Sequence, residues 1–248
     1  TVGLDAGFYN RVCNPLFVVV GLLLAFCPWM SWKEGVREPR WALAALIVMV
    51  ASAGGLYALG YTKPVALVGM AASVSALFSL AALLATSRVA RGLKGGLGAW
   101  LLHAGLAMVI LGVSFSGPYQ VVSEGVLKPG ESMKLGPYTL TYSGLEEFST
   151  PGYMGGRAKI VATRDGKPLG ELLPERRIYK NFPQPFAEVS VIPSLGDELY
   201  ATLLAFTSDK SASIKASVNP LVNWFWIGGT LMCLAGFACL ARGRSPEA

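Results

Sequence analysis

Five long apolar runs set the terms for this chain. They are roughly Val12–Trp32, Trp41–Leu59, Pro64–Ala85, Leu97–Ser116 and Pro220–Ala241, and none contains Asp, Glu, Lys or Arg. Crossing a bilayer takes about 20 residues at 1.5 Å rise each, and each run meets that length to within a residue or so. The composition agrees: 53% of residues are hydrophobic and 15% charged, against about 25% charged in soluble domains. The first run lacks a basic n-region and a small-residue cleavage site, so it reads as a span rather than a signal peptide. The expected fold class is a membrane protein with five transmembrane α-helices and one extracytoplasmic all-β domain.

Orientation follows from where Lys and Arg sit in the short loops. Lys33, Arg37 and Arg40 follow the first span, Arg88, Arg91 and Lys94 follow the third, and Arg242 and Arg244 close the chain. These fall on one side of the membrane if the spans alternate, and only Arg11 and Lys63 oppose them. The expected map has the N-terminus outside and the basic C-terminal tail in the cytoplasm. Residues 1–116 then hold four transmembrane helices, 117–219 one extracytoplasmic domain, and 220–248 the final helix and tail. Region 117–219 balances its acidic and basic residues, so the pI near 9.2 reflects topology and gives no support to nucleic-acid binding. A start at Thr1, already outside without an export signal, leads us to expect further spans upstream, on this chain or on a separate one.

The polar region reads as short strands. Tyr138–Tyr142 alternates, Lys159–Thr163 is rich in β-branched residues, and Asp165-Gly166 precedes Leu169–Leu173 as a hairpin turn needing positive φ. Glu188–Val191 and Leu199–Phe206 add two more strands, with Pro183 and Pro185 in an extended connector. The region has no cysteine, no histidine and no glycine-rich phosphate loop, leaving docking as its natural role. Arg176 and Arg177 could hold a carboxylate such as a haem propionate, but neighbours on a strand face opposite ways. A solvated strand with a local salt bridge is the preferred reading there.

The chain has one histidine, His103, and it lies inside the fourth span, about 9 Å along the helix from Leu97. Ionisable side chains at such depth usually serve a function. Neutral imidazole suits haem iron in an apolar pocket. It equally suits a hydrogen bond to a neighbouring helix, and residue type and depth leave both open. Gly105 and Gly112, seven apart, share a helix face that a neighbour or a flat macrocycle can approach. In the last span, Trp224, Phe225 and Trp226 read as an interfacial belt, Gly228, Gly229 and Gly236 as helix packing, and Met232 as core. The four cysteines, Cys13, Cys27, Cys233 and Cys239, lie in or beside apolar runs and suggest no disulfide framework.

Taken in order, several segments resemble one family. Phe8-Tyr9-Asn10 with Asn14-Pro15-Leu16 resembles its entry into a span. Leu102-His103-Ala104-Gly105-Leu106-Ala107 with Gly112-Val113 resembles a helix carrying one of its membrane histidines. Leu127-Lys128-Pro129-Gly130, Tyr138-Thr139, Pro174–Tyr179 and Asp197–Tyr200 are similar to its periplasmic domain, although Glu198 interrupts the usual Asp-Leu-Tyr. Pro220–Gly236 is similar to its closing Trp-x-Trp-x-Gly-Gly helix. The family is CcmF, the cytochrome c-type biogenesis protein that acts as system I haem lyase, and the resemblance is to its C-terminal third.

The resemblance implies part of a membrane haem lyase that reduces haem and attaches it to apocytochrome c. His103 would be one axial ligand of a resident haem b, its iron the metal, with no catalytic residue identified. The tryptophan-rich WWD segment and the other histidines of the family are missing, so enzymatic activity would require an N-terminal WWD-containing part. Implied partners are that part, the haem chaperone of the pathway, apocytochrome c with its thiol-handling subunit, and the lipid bilayer. The implied location is a bacterial inner membrane with residues 117–219 periplasmic, or an organellar inner membrane in a eukaryote. Two alternatives remain: a quinol-linked membrane cytochrome b subunit, and a purely structural assembly subunit.

Overall fold

A computed structural model describes residues 6–87 and 96–242 of the chain. Arg88, Arg91, Lys94 and Arg244, which carry much of the expected orientation, lie outside the described residues. Two compact units emerge, one from Thr1–Pro118 with Leu221–Ala248 and one from Tyr119–Pro220.

The first unit is helical: α1 (Ala6–Phe26), α2 (Pro39–Ala58), α3 (Pro64–Thr86), α4 (Gly96–Ser116) and α5 (Val222–Arg242). Four segments, Arg11–Trp29, Pro39–Ala58, Pro64–Thr86 and Gly96–Ser116, are long and apolar enough to span a membrane; in α5 the apolar stretch is the shorter Val222–Phe237. Two expected boundaries need correction. The first span does not run on to Trp32, because Pro28 disfavours helical backbone at Cys27 and removes an N–H. The helix ends at Phe26 and tightens into a 3-10 turn, Cys27–Trp29. Met30–Ser31 (β1) then pairs with Gly35–Val36 (β2). The last span does not begin at Pro220, which closes a strand.

Helix α3 is the hub of this unit. Its buried face is built from Ala and Ser, which let α1, α2 and α4 approach closely. Two of the serines are satisfied across helices, Ser75 Oγ donating to the Ala45 carbonyl at 2.7 Å and Ser79 Oγ to that of Ala25 at 2.7 Å, while Ser73 Oγ donates to the Gly69 carbonyl of its own helix. Trp29 is buried, donates Nε1–H to Ser79 Oγ at 3.0 Å and stacks on Trp41 at 5.5 Å. That arrangement fixes the 3-10 turn against α3.

The second unit is a β-sandwich. One sheet has the order β10-β11-β12-β3, from Ser190–Ile192, Asp197–Phe206, Ala212–Pro220 and Val121–Leu127. The other has the order β4-β5-β6-β8-β9, with β7 also on β6. Its strands are Ser132–Leu135, Tyr138–Ser149, Tyr153–Arg164, Lys167–Leu172, Glu175–Tyr179 and Phe182–Glu188 for β4 to β9. Alternating residues of both sheets, among them Leu140, Tyr142, Ile160, Leu203 and Ile214, meet in one closed core. The Asp165-Gly166 turn has φ of 51° and 79°, the geometry of a type I′ hairpin. Two expectations fail locally. Glu188–Val191 is not one strand, since β9 ends at Glu188 and β10 starts at Ser190 on the other sheet. Pro183 and Pro185 lie within β9, an edge strand, where a missing N–H is tolerated.

Candidate functional site

His103 sits on the second turn of α4 at one end of the helical unit. Its side chain is exposed and lines an open-sided cavity of about 730 Å³, within the range of about 300–1,000 Å³ common for cofactor and ligand sites. The walls come from α1 (Val20, Leu23, Leu24), the 3-10 turn (Cys27, Pro28), the end of α3 (Leu80, Leu83, Ser87) and α4 (Gly96, Ala99, Trp100, Leu106). Most of that lining is hydrocarbon.

The imidazole is oriented by its own helix rather than by a neighbouring one. Nδ1 lies 2.6 Å from the Ala99 carbonyl, and a carbonyl only accepts, so Nδ1 carries the proton. In the neutral ring the lone pair is then on Nε2, the arrangement by which histidines present a nitrogen to a metal. Among the described residues no group of three or more His, Cys, Asp or Glu could hold a metal ion. One imidazole over an apolar cavity instead fits a metal that brings its own equatorial donors, as haem iron does.

The glycines do something else. A Cβ on Gly105 would stand 2.7 Å from the Gly228 carbonyl and 2.7 Å from Met232 Cγ, and one on Gly112 would stand 2.7 Å from the Phe225 nitrogen. Both therefore seat α5 on α4, and no room is left there for a macrocycle. Two residues separate His103 from Gly105, about 200° around the helix, so the imidazole and the glycines occupy opposite faces. Met232 and Gly228 are packing residues as expected, whereas Gly229 and Gly236 face open space.

Sequence reasoning missed Trp100 and Cys27 as cavity residues. The signal for Trp100 was available, since positions i and i+3 share a helix face. That for Cys27 was not, because its place depends on the turn that Pro28 imposes.

In the sandwich, Arg176 and Arg177 do face opposite ways. Arg176 Nη1 donates to the Leu204 carbonyl of the other sheet, while Arg177 pairs with Glu175 at 2.7 Å and Glu188 at 3.6 Å. The strand is less solvated than expected. Glu175 is buried, and Arg157 reaches it from β6 at 2.5 Å. Burial alone would raise the pKa of Glu175, but hydrogen bonds and charge from Arg157 and Arg177 outweigh it and hold the carboxyl below its ordinary value. Tyr138 donates to Asp197 at 3.1 Å, and burial with that carboxylate pushes its phenol up.

Comparison with known proteins follows the same outline. Residues 118–220 match the CcmF C-terminal beta-sandwich family. The whole chain is 30% identical over 252 residues to the cytochrome c-type biogenesis protein CcmF of Escherichia coli K12, covering 98% of this chain and 39% of that protein. For CcmF of Haemophilus influenzae the identity is 28% over 262 residues, with 98% and 40% covered. This chain is related to the C-terminal part of CcmF. A solved cytochrome c haem lyase CcmF shares its fold, with a TM-score of 0.78 at 24% identity over 95% of this chain and 40% of that one. The chain thus spans about two fifths of the length of these CcmF relatives.

Proposed function

We propose that the chain works as the C-terminal part of a CcmF-type haem lyase in cytochrome c maturation, and that His103 is an axial ligand to a resident haem b. The observation that carries this reading is His103 itself, which lines an open-sided cavity of about 730 Å³ with largely hydrocarbon walls and whose Nδ1 is engaged by the Ala99 carbonyl, leaving Nε2 as the ring's other nitrogen. The similarity to CcmF proteins across 98% of the chain gives the reading its direction.

The chain's own residues have three tasks. Ala99 holds the imidazole tautomer and ring orientation through Nδ1. The leucines and Val20 give the open-sided cavity its hydrocarbon walls, favouring a ligand that is apolar over most of its surface. The α4–α5 glycine contact holds the other side of α4 fixed. Bound haem would supply one-electron chemistry, here toward the iron of the haem being attached. A second protein ligand to that iron would come from outside this sequence. The haem chaperone and apocytochrome c with its thiol-handling subunit are the further partners. We place the protein in the inner membrane with residues 117–219 periplasmic, because Lys33, Arg37 and Arg40 with the later basic residues mark the cytoplasmic side.

His103→Ala in cells with the rest of the pathway should remove the b-type bands of the purified complex and cytochrome c output together. His103→Gly with added imidazole should restore both. An alanine variant present at normal level with its full b-type spectrum would refute the ligand role. Cytochrome c output that persists without those bands would leave the ligand and refute the electron relay.

A further inference from the structure

Trp100 stands apart from the other walls of the His103 cavity. Its neighbours there are chiefly aliphatic, and an aliphatic residue would fill the same space without a polar atom to satisfy. Trp100 instead donates Nε1–H to the Leu80 carbonyl at 2.6 Å, from α4 across to α3. Leu80 lines the same cavity. The indole is therefore a plate pinned at its edge, with its rotation fixed by a second helix. His103, one turn further along the same face, is fixed in turn by the Ala99 carbonyl.

We propose that Trp100 is a positioning residue that sets the plane and rotation of a macrocycle held by His103. The inference rests on the reading of His103 as the iron ligand. An axial imidazole fixes the iron but leaves the ring free to turn about the iron–nitrogen axis. A wall three residues away, about 4.5 Å along the helix axis, stops that rotation if it is flat and cannot itself turn. Indole supplies the flat, polarisable surface, and the bond to Leu80 removes the freedom. The three residues divide the work: Ala99 orients the ligand, His103 binds the metal, and Trp100 limits the macrocycle.

The test is titration of the full chain, reconstituted in nanodiscs, with ferric protoporphyrin IX, read by Soret absorbance and electron paramagnetic resonance. Trp100→Leu should weaken binding about tenfold, the size of a good aromatic contact, while keeping the imidazole-ligated spectrum. Trp100→Phe keeps a flat wall but not the pin, so affinity should hold while the g-values spread. His103→Ala should remove the imidazole-ligated spectrum altogether. Wild-type affinity in Trp100→Leu, or unchanged g-values in Trp100→Phe, overturns the positioning role and leaves His103 standing. Should Trp100→Leu fail to insert, Trp100→Phe decides alone. An unchanged spectrum in His103→Ala overturns both readings.

Discussion

The helical unit and the sandwich treat space and charge in opposite ways. The sandwich closes its core completely: Leu140, Tyr142, Ile160, Leu203 and Ile214 are fully buried. It carries ion pairs on the outside, as Lys159 with Glu171, and around Glu175. The helical unit is tightly packed through Ala, Ser and Gly along α3 and α4, yet keeps a cavity of about 730 Å³ beside its one histidine. A filled core maximises dispersion and apolar burial. An open-sided cavity forgoes some of both, and here it coincides with the one histidine of the chain. The contrast separates a unit with a closed core from one with an apolar opening beside its histidine.

Matched leucine deletions give the largest effect and test the contrast directly. Leu140→Ala in the closed core should cost about 3 kcal/mol, as buried leucine truncations do. Leu106→Ala already borders empty space, so its loss should be about 1 kcal/mol. Hydrogen exchange on the intact chain reads both units at once. Equal costs would mean that the cavity is filled or collapsed in the protein.

A smaller effect is expected at the α4–α5 seam. Gly105→Ala places its methyl against the Gly228 carbonyl and Met232, an overpacking that typically costs about 1–3 kcal/mol. Gly229→Ala meets nothing within 4 Å and should be neutral or slightly stabilising, since Ala is the better helix former. Thermal unfolding in nanodiscs separates the two. If Gly105→Ala is as silent as Gly229→Ala, the glycines do not hold the seam.

Much of this architecture is legible in the residues. Hydropathy places the spans because lipid demands long uninterrupted apolar runs. Asp165-Gly166 announces its hairpin because few residue pairs accept positive φ in succession. The misses have a common cause, which is that the outcome was decided by tertiary contacts. Pro28 ends α1 early, but the turn is stabilised by Trp29 reaching Ser79, fifty residues away. Gly105 and Gly112 were visible as a face, while the element opposite them was not. His103 was legible as a residue that needs explaining, yet its cavity draws on α1, α3 and α4 together. Glu175 looked like a surface acid because its burial depends on Arg157 from another strand.

That carboxylate gives the finest test, through pH. The folded pKa of Glu175 is depressed below its ordinary 4.5, so its stabilising contribution is complete above that value and is lost as pH falls through the folded pKa. Asp209 acts in the same direction from a lower window. Hydrogen bonds from Thr207 and Ser211 hold it at about 2 rather than 3.8, so its contribution fades as pH drops between those values. The sandwich should therefore begin to lose stability below about pH 4.5 and continue to do so towards 2. Glu175→Gln removes the upper part of that slope. At neutral pH it should cost about 1 kcal/mol, modest because Arg157 is 41% exposed and solvent screens the pair. Exchange protection of the β6 and β8 amides between pH 3 and 7 reads the difference. If the variant loses protection with the same pH dependence as the parent, the Arg157–Glu175–Arg177 cluster is not what makes this unit acid-sensitive.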